Sequence, residues 1–249
     1  MKPATVVRFE NASFFLTMLI KECIILAGGL GTRLRSAVPD LPKCMAPVAG
    51  RPFLSYVIDH CKREGIEKFI FSLGYKHEVI EAFLDKEYAS VDKQYVIEKE
   101  PLGTGGAIQL ACVPATEENV LILNGDTLFS INVATLATVH QQHNAHCTLA
   151  LKPMQHFDRY GVVEVDANGA LKSFKEKQFY ESGLINGGIY ALNTAAFLQE
   201  QLPLKFSFEK DYLEKFYTQR PMYGVVQDEY FIDIGIPEDF EKANRELVK

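Results

Sequence analysis

Cys23-Ile24-Ile25-Leu26-Ala27-Gly28-Gly29-Leu30-Gly31-Thr32-Arg33-Leu34 is the stretch whose reading decides the fold. Its first four residues are an apolar, partly β-branched run of the length of a buried parallel strand. Gly28, Gly29 and Gly31 then remove Cβ atoms where a chain must turn sharply or approach a ligand closely. Such a loop exposes consecutive backbone N–H groups, an arrangement that holds phosphate oxygens. Arg33 adds a planar, permanently charged donor that a polyphosphate can accept bidentately. A tight strand-to-helix turn without a ligand accounts for the glycines alone equally well.

Two phosphate-loop patterns are excluded. A Walker loop needs Lys-Ser/Thr directly after its last glycine, and Thr32-Arg33 stands there. A dinucleotide fingerprint needs Gly or Ala at Leu34 and an acidic residue about 20 residues on. A basic, proline-bounded segment follows instead, Leu41-Pro42-Lys43-Cys44-Met45-Ala46-Pro47, reaching Arg51-Pro52.

With 249 residues, 47% of them hydrophobic, the chain is long enough for a substantial core. Its net charge of −6 argues against a nucleic-acid surface. The basic cluster Arg33, Arg35, Lys43 and Arg51 suits a nucleotide better than a duplex. The five cysteines (Cys23, Cys44, Cys61, Cys112 and Cys147) are scattered, with no Cys-x-x-Cys pair, so neither zinc nor a disulfide framework is indicated. A reducing cytoplasm is the expected compartment. Phe14–Ile20 is apolar but too short to span a bilayer, and a signal peptide there would lack a small-residue cleavage site. Residues 1–17 read as a dispensable extension, with Met18 a plausible start and 18–249 a single domain. Residues 18–130 form its nucleotide-binding half and 131–249 its sugar-phosphate half.

The first half alternates strand and helix. Lys68–Leu73, Gln94–Glu98 and Asn119–Leu123 are expected strands; Phe53–Glu64, Glu78–Leu84 and Thr104–Ala111 are expected helices. That alternation argues for a Rossmann-like, doubly wound, mostly parallel sheet. The second half changes to short strands at 147–151, 162–165 and 171–174, the last two joined by the turn signal Asp166-Ala167-Asn168-Gly169. A returning strand is expected at 188–192, a helix capped by Ser207, and a final helix with Pro237 at its first position. His140, His143 and His146 lack a fourth metal-ligand partner and read as a solvated helix end.

Ligands in an open α/β sheet bind beyond the carboxyl ends of the strands. Glu98-Lys99-Glu100-Pro101-Leu102-Gly103-Thr104-Gly105-Gly106 follows the third strand. The two Glu98 oxygens match the adjacent N1–H and N2–H donors of guanine, whereas uracil and thymine suit an amide better. Asn124-Gly125-Asp126 follows the most apolar strand, and Asp126 with Asp233 forms a pair of hard carboxylates suited to Mg²⁺. Glu176 and Lys177, then Asn186 and Gly187, suit a sugar's hydroxyls and phosphate, and Gly161 can add a close backbone contact.

These segments together resemble the sugar-1-phosphate nucleotidyltransferases. The resemblance spans residues 20–240 and rests on the opening loop, Pro42-Lys43, Glu98 with Pro101–Gly106, Asn124-Gly125-Asp126, Glu176-Lys177, Asn186-Gly187-Gly188 and Asp233-Ile234-Gly235. Within the family, Glu98–Ile108, Phe157–Gly161, Gly183–Tyr190 and Tyr230–Asp239 look most like members that use GTP and a manno-heptose 1-phosphate. Gln178 departs from the Pro that many relatives carry there. The resemblance implies a nucleotide-diphospho-sugar transferase fold with a small β-rich sugar-binding insertion. It also implies Mg²⁺ on Asp126 and Asp233, and in-line attack of a sugar 1-phosphate on the α-phosphate of GTP. Arg33, Lys43, Asp126 and Asp233 would be catalytic. Leu26, Ala27, Gly28, Gly29, Gly31, Thr32, Arg33, Lys43, Glu98, Gly103 and Thr104 would bind the nucleotide. Asp126, Gly161, Glu176, Lys177, Asn186 and Gly187 would bind the sugar phosphate. Mannose 1-phosphate, another nucleoside triphosphate, a silent nucleotide-sugar-binding subunit and a metal-dependent glycosyltransferase stay open. The glycan pathway and the oligomeric state are open as well.

Overall fold

The computed structural model describes residues 20–29, 34, 38–175 and 177–248. Strand β1 (Glu22–Leu26) sits at the centre of the sheet. It pairs in parallel with β4 (Lys68–Leu73) on one side and β6 (Asn119–Asn124) on the other, and β4 pairs in parallel with β5 (Asp92–Ile97). Alternate residues feed two cores, as a strand buried on both faces requires. Cys23 and Ile25 join Phe69, Phe71, Leu121 and Leu123 in one; Ile24 joins Ile70, Val120 and Ile122 in the other.

Helices cover both cores. The expected apolar stripe of helix α1 (Phe53–Arg63) is buried at Phe53, Leu54, Val57, Ile58 and Cys61. The chain turns out of it at Gly65, whose φ of +88° only glycine adopts at no cost. Helix α2 (His77–Glu87) adds Ile80 and Leu84 to the same core. Helix α3 (Gly103–Cys112) packs Ile108, Ala111 and Cys112 into the other. The strand order β5-β4-β1-β6 puts the first parallel strand beside the fourth. The direction of winding therefore reverses between β1 and β6, and a crevice opens at their carboxyl ends.

The remaining strands make the sheet mixed, nine-stranded in all. The returning strand, β11 (Tyr180–Asn193), is antiparallel to β6 and begins eight residues before its expected Gly188. It pairs with β8 (Cys147–Phe157), which pairs in parallel with β12 (Met222–Val226). Towards its start it touches β9 (Val162–Val165), which pairs with β10 (Leu171–Lys175). The β9–β10 turn is held by Asp166 Oδ1, which accepts from Asn168 N at 2.9 Å and Ala170 N at 3.0 Å. These strands form the β-rich half of the same sheet.

Helix α4 (Val133–Gln142) is capped by Asn132, whose Oδ1 accepts from Thr135 N. A histidine in its last turn corrects one expectation. His140 is 1% exposed rather than solvated. Its Nδ1 faces the Thr148 hydroxyl and its Nε2 the Asn119 Oδ1, each at 3.0 Å. Asn119 Oδ1 can only accept, so Nε2 carries the proton; burial lowers the pKa to about 4 and keeps the ring neutral. Helix α5 (Thr194–Leu198) follows β11, and Ser207 caps a π-helical turn, Phe208–Leu213, that runs into α6 (Glu214–Phe216). Helix α7 (Pro237–Glu246) begins on Pro237 as expected. All five cysteines are free and buried. Among the described residues no helix is long and apolar enough to cross a membrane.

Candidate active site

The carboxyl ends of β1, β4 and β5 converge on Gly28. A Cβ there would lie 2.5 Å from Glu98 Oε1 and 3.1 Å from the Gly74 nitrogen. Any side chain would push the opening loop off the strand ends, so this glycine is required by close approach. Gly29 faces open space. Glu98 Oε2 accepts from the Leu102 N–H at 3.0 Å, which pins the carboxylate over the loop. Burial raises its pKa, and the Leu102 N–H draws it partly back.

The carboxyl ends of β1 and β6 meet at Gly125, whose N–H donates to Leu26 O at 2.9 Å. A Cβ on Gly125 would crowd Leu26 O, Ala27 and Cys44, at 3.2 to 3.4 Å. This contact sets Asp126 beside the 3₁₀ turn Lys43–Met45, which is anchored by buried Cys44 and Met45. Strand β7 (Thr127–Phe129) then pairs antiparallel with β13 (Phe231–Asp233), placing Asp233 opposite Thr127. Ile234 N donates to Asp126 O at 3.1 Å and closes the arrangement. Two carboxylates more than a hundred positions apart are thus carried on one short ladder.

Lys43 lies between them. Its ammonium is 2.5 Å from Asp126 Oδ2 and 3.4 Å from Asp233 Oδ1, with its side chain 11% exposed. Asp233 Oδ1 also accepts from Gly235 N at 2.8 Å. A Cβ on Gly235 would stand 3.0 Å from Lys43 Nζ, so glycine is what lets the ammonium reach this carboxylate. Cys44, next to Lys43, is no nucleophile, because burial and the Asp126 charge push its thiol up to about 12.

Two hard carboxylates that share one cation form a donor set that fits Mg²⁺. Among the described residues no third His, Cys, Asp or Glu completes a metal cluster. A metal held here would draw its remaining ligands from phosphate oxygens and water, as Mg²⁺ commonly does.

Beside the crevice lies a cavity of about 480 Å³, within the range of small-molecule sites. Its lining includes Asn124, Tyr160, Gly161, Lys177, Asn186 and Gly188, together with Thr104, Tyr190, Ser207, Glu209, Lys210 and Glu214. The sequence therefore brings Gly161, Lys177 and Asn186 together as expected. Asn186 Nδ2 donates to the Tyr190 hydroxyl at 2.9 Å, and its Oδ1 accepts from Gly188 N at 3.0 Å.

Three of the expected ligand-binding residues make close contacts within the protein. Gly187 is buried, and a Cβ on it would strike the Phe129 ring at 2.4 Å. Gly188 lines the cavity in its place. The Thr104 hydroxyl donates to Glu209 Oε2 at 2.7 Å and accepts from Phe208 N at 2.9 Å. Gly103, Gly105 and Gly106 leave room for the chain at Leu204 and Phe206 rather than for a flat base. Cβ atoms on them would lie 2.1 to 2.5 Å from that segment. Gly31, Thr32, Arg33 and Glu176, like residues 1–17, lie outside the described residues. Glu209 and Lys210 were not singled out from the sequence; a helix capped by Ser207 was the one signal nearby.

A glycine-bearing strand end at a topological switch point, a lysine held by two carboxylates and an adjoining polar cavity lie together at one end of the sheet. The chain belongs to the nucleotidyl transferase family, whose model matches residues 22–249. It is similar to D-glycero-α-D-manno-heptose 1-phosphate guanylyltransferase of Aneurinibacillus thermoaerophilus, with 51% identity over 226 residues, 91% of this chain and 98% of that one. The enzyme of the same name from Campylobacter jejuni is 44% identical, covering 88% of this chain and 96% of the relative. A crystal structure of HddC from Yersinia pseudotuberculosis complexed with GMP-PN superposes with a TM-score of 0.81 at 34% identity, covering 91% and 99% of the two chains.

Proposed function

We propose that this protein transfers a guanylyl group from GTP to D-glycero-α-D-manno-heptose 1-phosphate, giving the GDP-heptose and pyrophosphate. The observation that carries the reading is Lys43 held between Asp126 and Asp233 at the β1/β6 switch point. The activity for which the two guanylyltransferase relatives are named and the GMP-PN in the neighbouring structure support the base and the sugar.

The sugar-phosphate oxygen attacks the α-phosphorus in line. One P–O bond forms as the bond to the β-phosphate oxygen breaks, and pyrophosphate departs on the opposite side. The attacking oxygen is already anionic, so no protein nucleophile is needed. Catalysis is positioning and charge neutralisation. Lys43 neutralises the α-phosphate, Lys177 receives the incoming phosphate, and Arg33 holds the leaving pyrophosphate. Asp126 and Asp233 would hold Mg²⁺, whose charge would offset repulsion between the phosphates. The five free thiols suit a cytoplasmic enzyme supplying a nucleotide sugar for a cell-surface glycan.

Base choice tests the reading directly. Glu98→Gln replaces one acceptor oxygen by a donor and spoils the match to two adjacent guanine donors. We expect kcat/KM for GTP to fall about ten- to hundredfold, the usual cost of a hydrogen bond to a charged group. The rate with UTP or dTTP should fall much less. An unchanged GTP preference in steady-state kinetics would remove Glu98 from base recognition.

A further inference from the structure

The cavity beside the switch point is asymmetric in charge. Lys177 reaches it just past the end of β10, beside Lys175, whose ammonium pairs with Glu164; Glu209 and Glu214 reach it from the segment after Ser207, together with Lys210. A phosphate dianion is drawn towards Lys177 and repelled by the carboxylates of the second group, of which Lys210 offsets one. A sugar 1-phosphate seated there therefore runs from Lys177 towards Glu209, and its hydroxyl-rich end meets the carboxylates.

Glu209 is built to receive hydroxyls. Its Oε2 accepts from Thr104 Oγ1 at 2.7 Å and from Ser207 Oγ at 2.9 Å, which fixes the plane of the carboxylate. A carboxylate offers about four lone-pair sites, so acceptor capacity remains for a ligand. Tyr190, whose hydroxyl accepts from Asn186, also faces Glu209. A hydrogen-bonded relay thus joins the expected sugar contact at Asn186 to this wall. The backbone that carries Glu209 is a π-helical turn, a rare geometry found frequently at functional sites. Buried Phe208, Tyr212 and Leu213 hold that turn rigid.

We propose that Glu209 determines which sugar is accepted, by taking hydrogen bonds from the hydroxyls of the chain beyond C5. This rests on the guanylyltransferase reading above. A manno-heptose carries hydroxyls on C6 and C7, whereas mannose carries one on C6 alone. Glu209 therefore favours the heptose by an interaction the hexose makes less completely, and it acts on binding rather than on the transfer step.

The test is steady-state kinetics at saturating GTP with D-glycero-α-D-manno-heptose 1-phosphate and mannose 1-phosphate, on the wild type, Glu209→Gln and Glu209→Asp. In Glu209→Gln the heptose KM should rise about tenfold or more, on the scale of one lost charge-assisted hydrogen bond. Its kcat should stay within about threefold, and the KM for mannose 1-phosphate should rise clearly less than that for the heptose. Glu209→Asp keeps the charge with a shorter reach and should recover part of the preference, which also covers the case of a poorly folded Gln variant. Equal losses for both sugars, a fall in kcat alone, or an undiminished heptose preference would overturn the role of Glu209 and leave the guanylyltransferase reading standing. A wild type that uses neither sugar with GTP would overturn both.

Discussion

Lys43→Ala is expected to lower turnover about 10²- to 10³-fold while leaving a folded protein, the scale found when one preorganised charge contact to a transition state is removed. The lysine is set in place by the buried Cys44–Met45 turn and by the absence of a side chain at Gly235. Among the described residues, its ammonium is the one group in contact with both Asp126 and Asp233. Without it, two partly buried carboxylates face the crevice uncompensated, and an incoming triphosphate meets net negative charge. The substitution removes attraction where charge builds up during transfer, so kcat should fall more than KM rises. A single-turnover rate within tenfold of wild type, in a variant with an unchanged thermal transition, would contradict this role.

Asp126→Asn should be comparably damaging, about 10²- to 10³-fold in kcat, for the opposite electrostatic reason. The amide preserves shape, and the backbone contact from Ile234 N to Asp126 O is untouched. What is lost is one of only two hard anionic ligands that the described site offers a divalent cation. The activity that remains should need a much higher Mg²⁺ concentration to saturate, whereas a purely structural role for Asp126 would leave the Mg²⁺ dependence where it was. Titration of Mg²⁺ against initial rate in both proteins separates the two cases.

Much of the fold is legible in the residues because burial on both faces demands continuous apolar runs. β1, β4 and β6 stand out for that reason, and Asp126 is conspicuous because it follows the most apolar of them. The β7–β13 ladder is not legible. Each strand is three residues long, and their pairing is chosen by tertiary contacts across a hundred positions. The same holds for β12, whose central Gly224 weakens any strand reading. A Cβ there would meet Leu151 at 2.4 Å, so the glycine is needed for close packing against β8. The hairpin of β2 (Pro47–Val48) and β3 (Arg51–Pro52) is two residues on each side and bounded by prolines. It gives no periodic signal at all.

The site divides along the same line. Gly28, Lys43, Glu98, Asp126 and Asn186 sit at strand ends or in short turns, where residue type and local position point to chemistry together. Thr104 and Glu209 meet across 105 positions, so neither advertises the other. Strand parity decides whether 187 or 188 faces the cavity. A β11 that begins at Tyr180, with shifted pairing to β8 between Asn186 and Tyr190, conceals that parity from the sequence. His140 reads as polar and solvated by type, yet two side-chain partners in the interior satisfy both its nitrogens.

The most direct test of the account is pyrophosphate release, measured for the four nucleoside triphosphates in turn against D-glycero-α-D-manno-heptose, mannose and glucose 1-phosphates. The account predicts release that requires a sugar 1-phosphate and is fastest with GTP and the heptose. Release without any sugar phosphate, or a preference for UTP or dTTP, would contradict it.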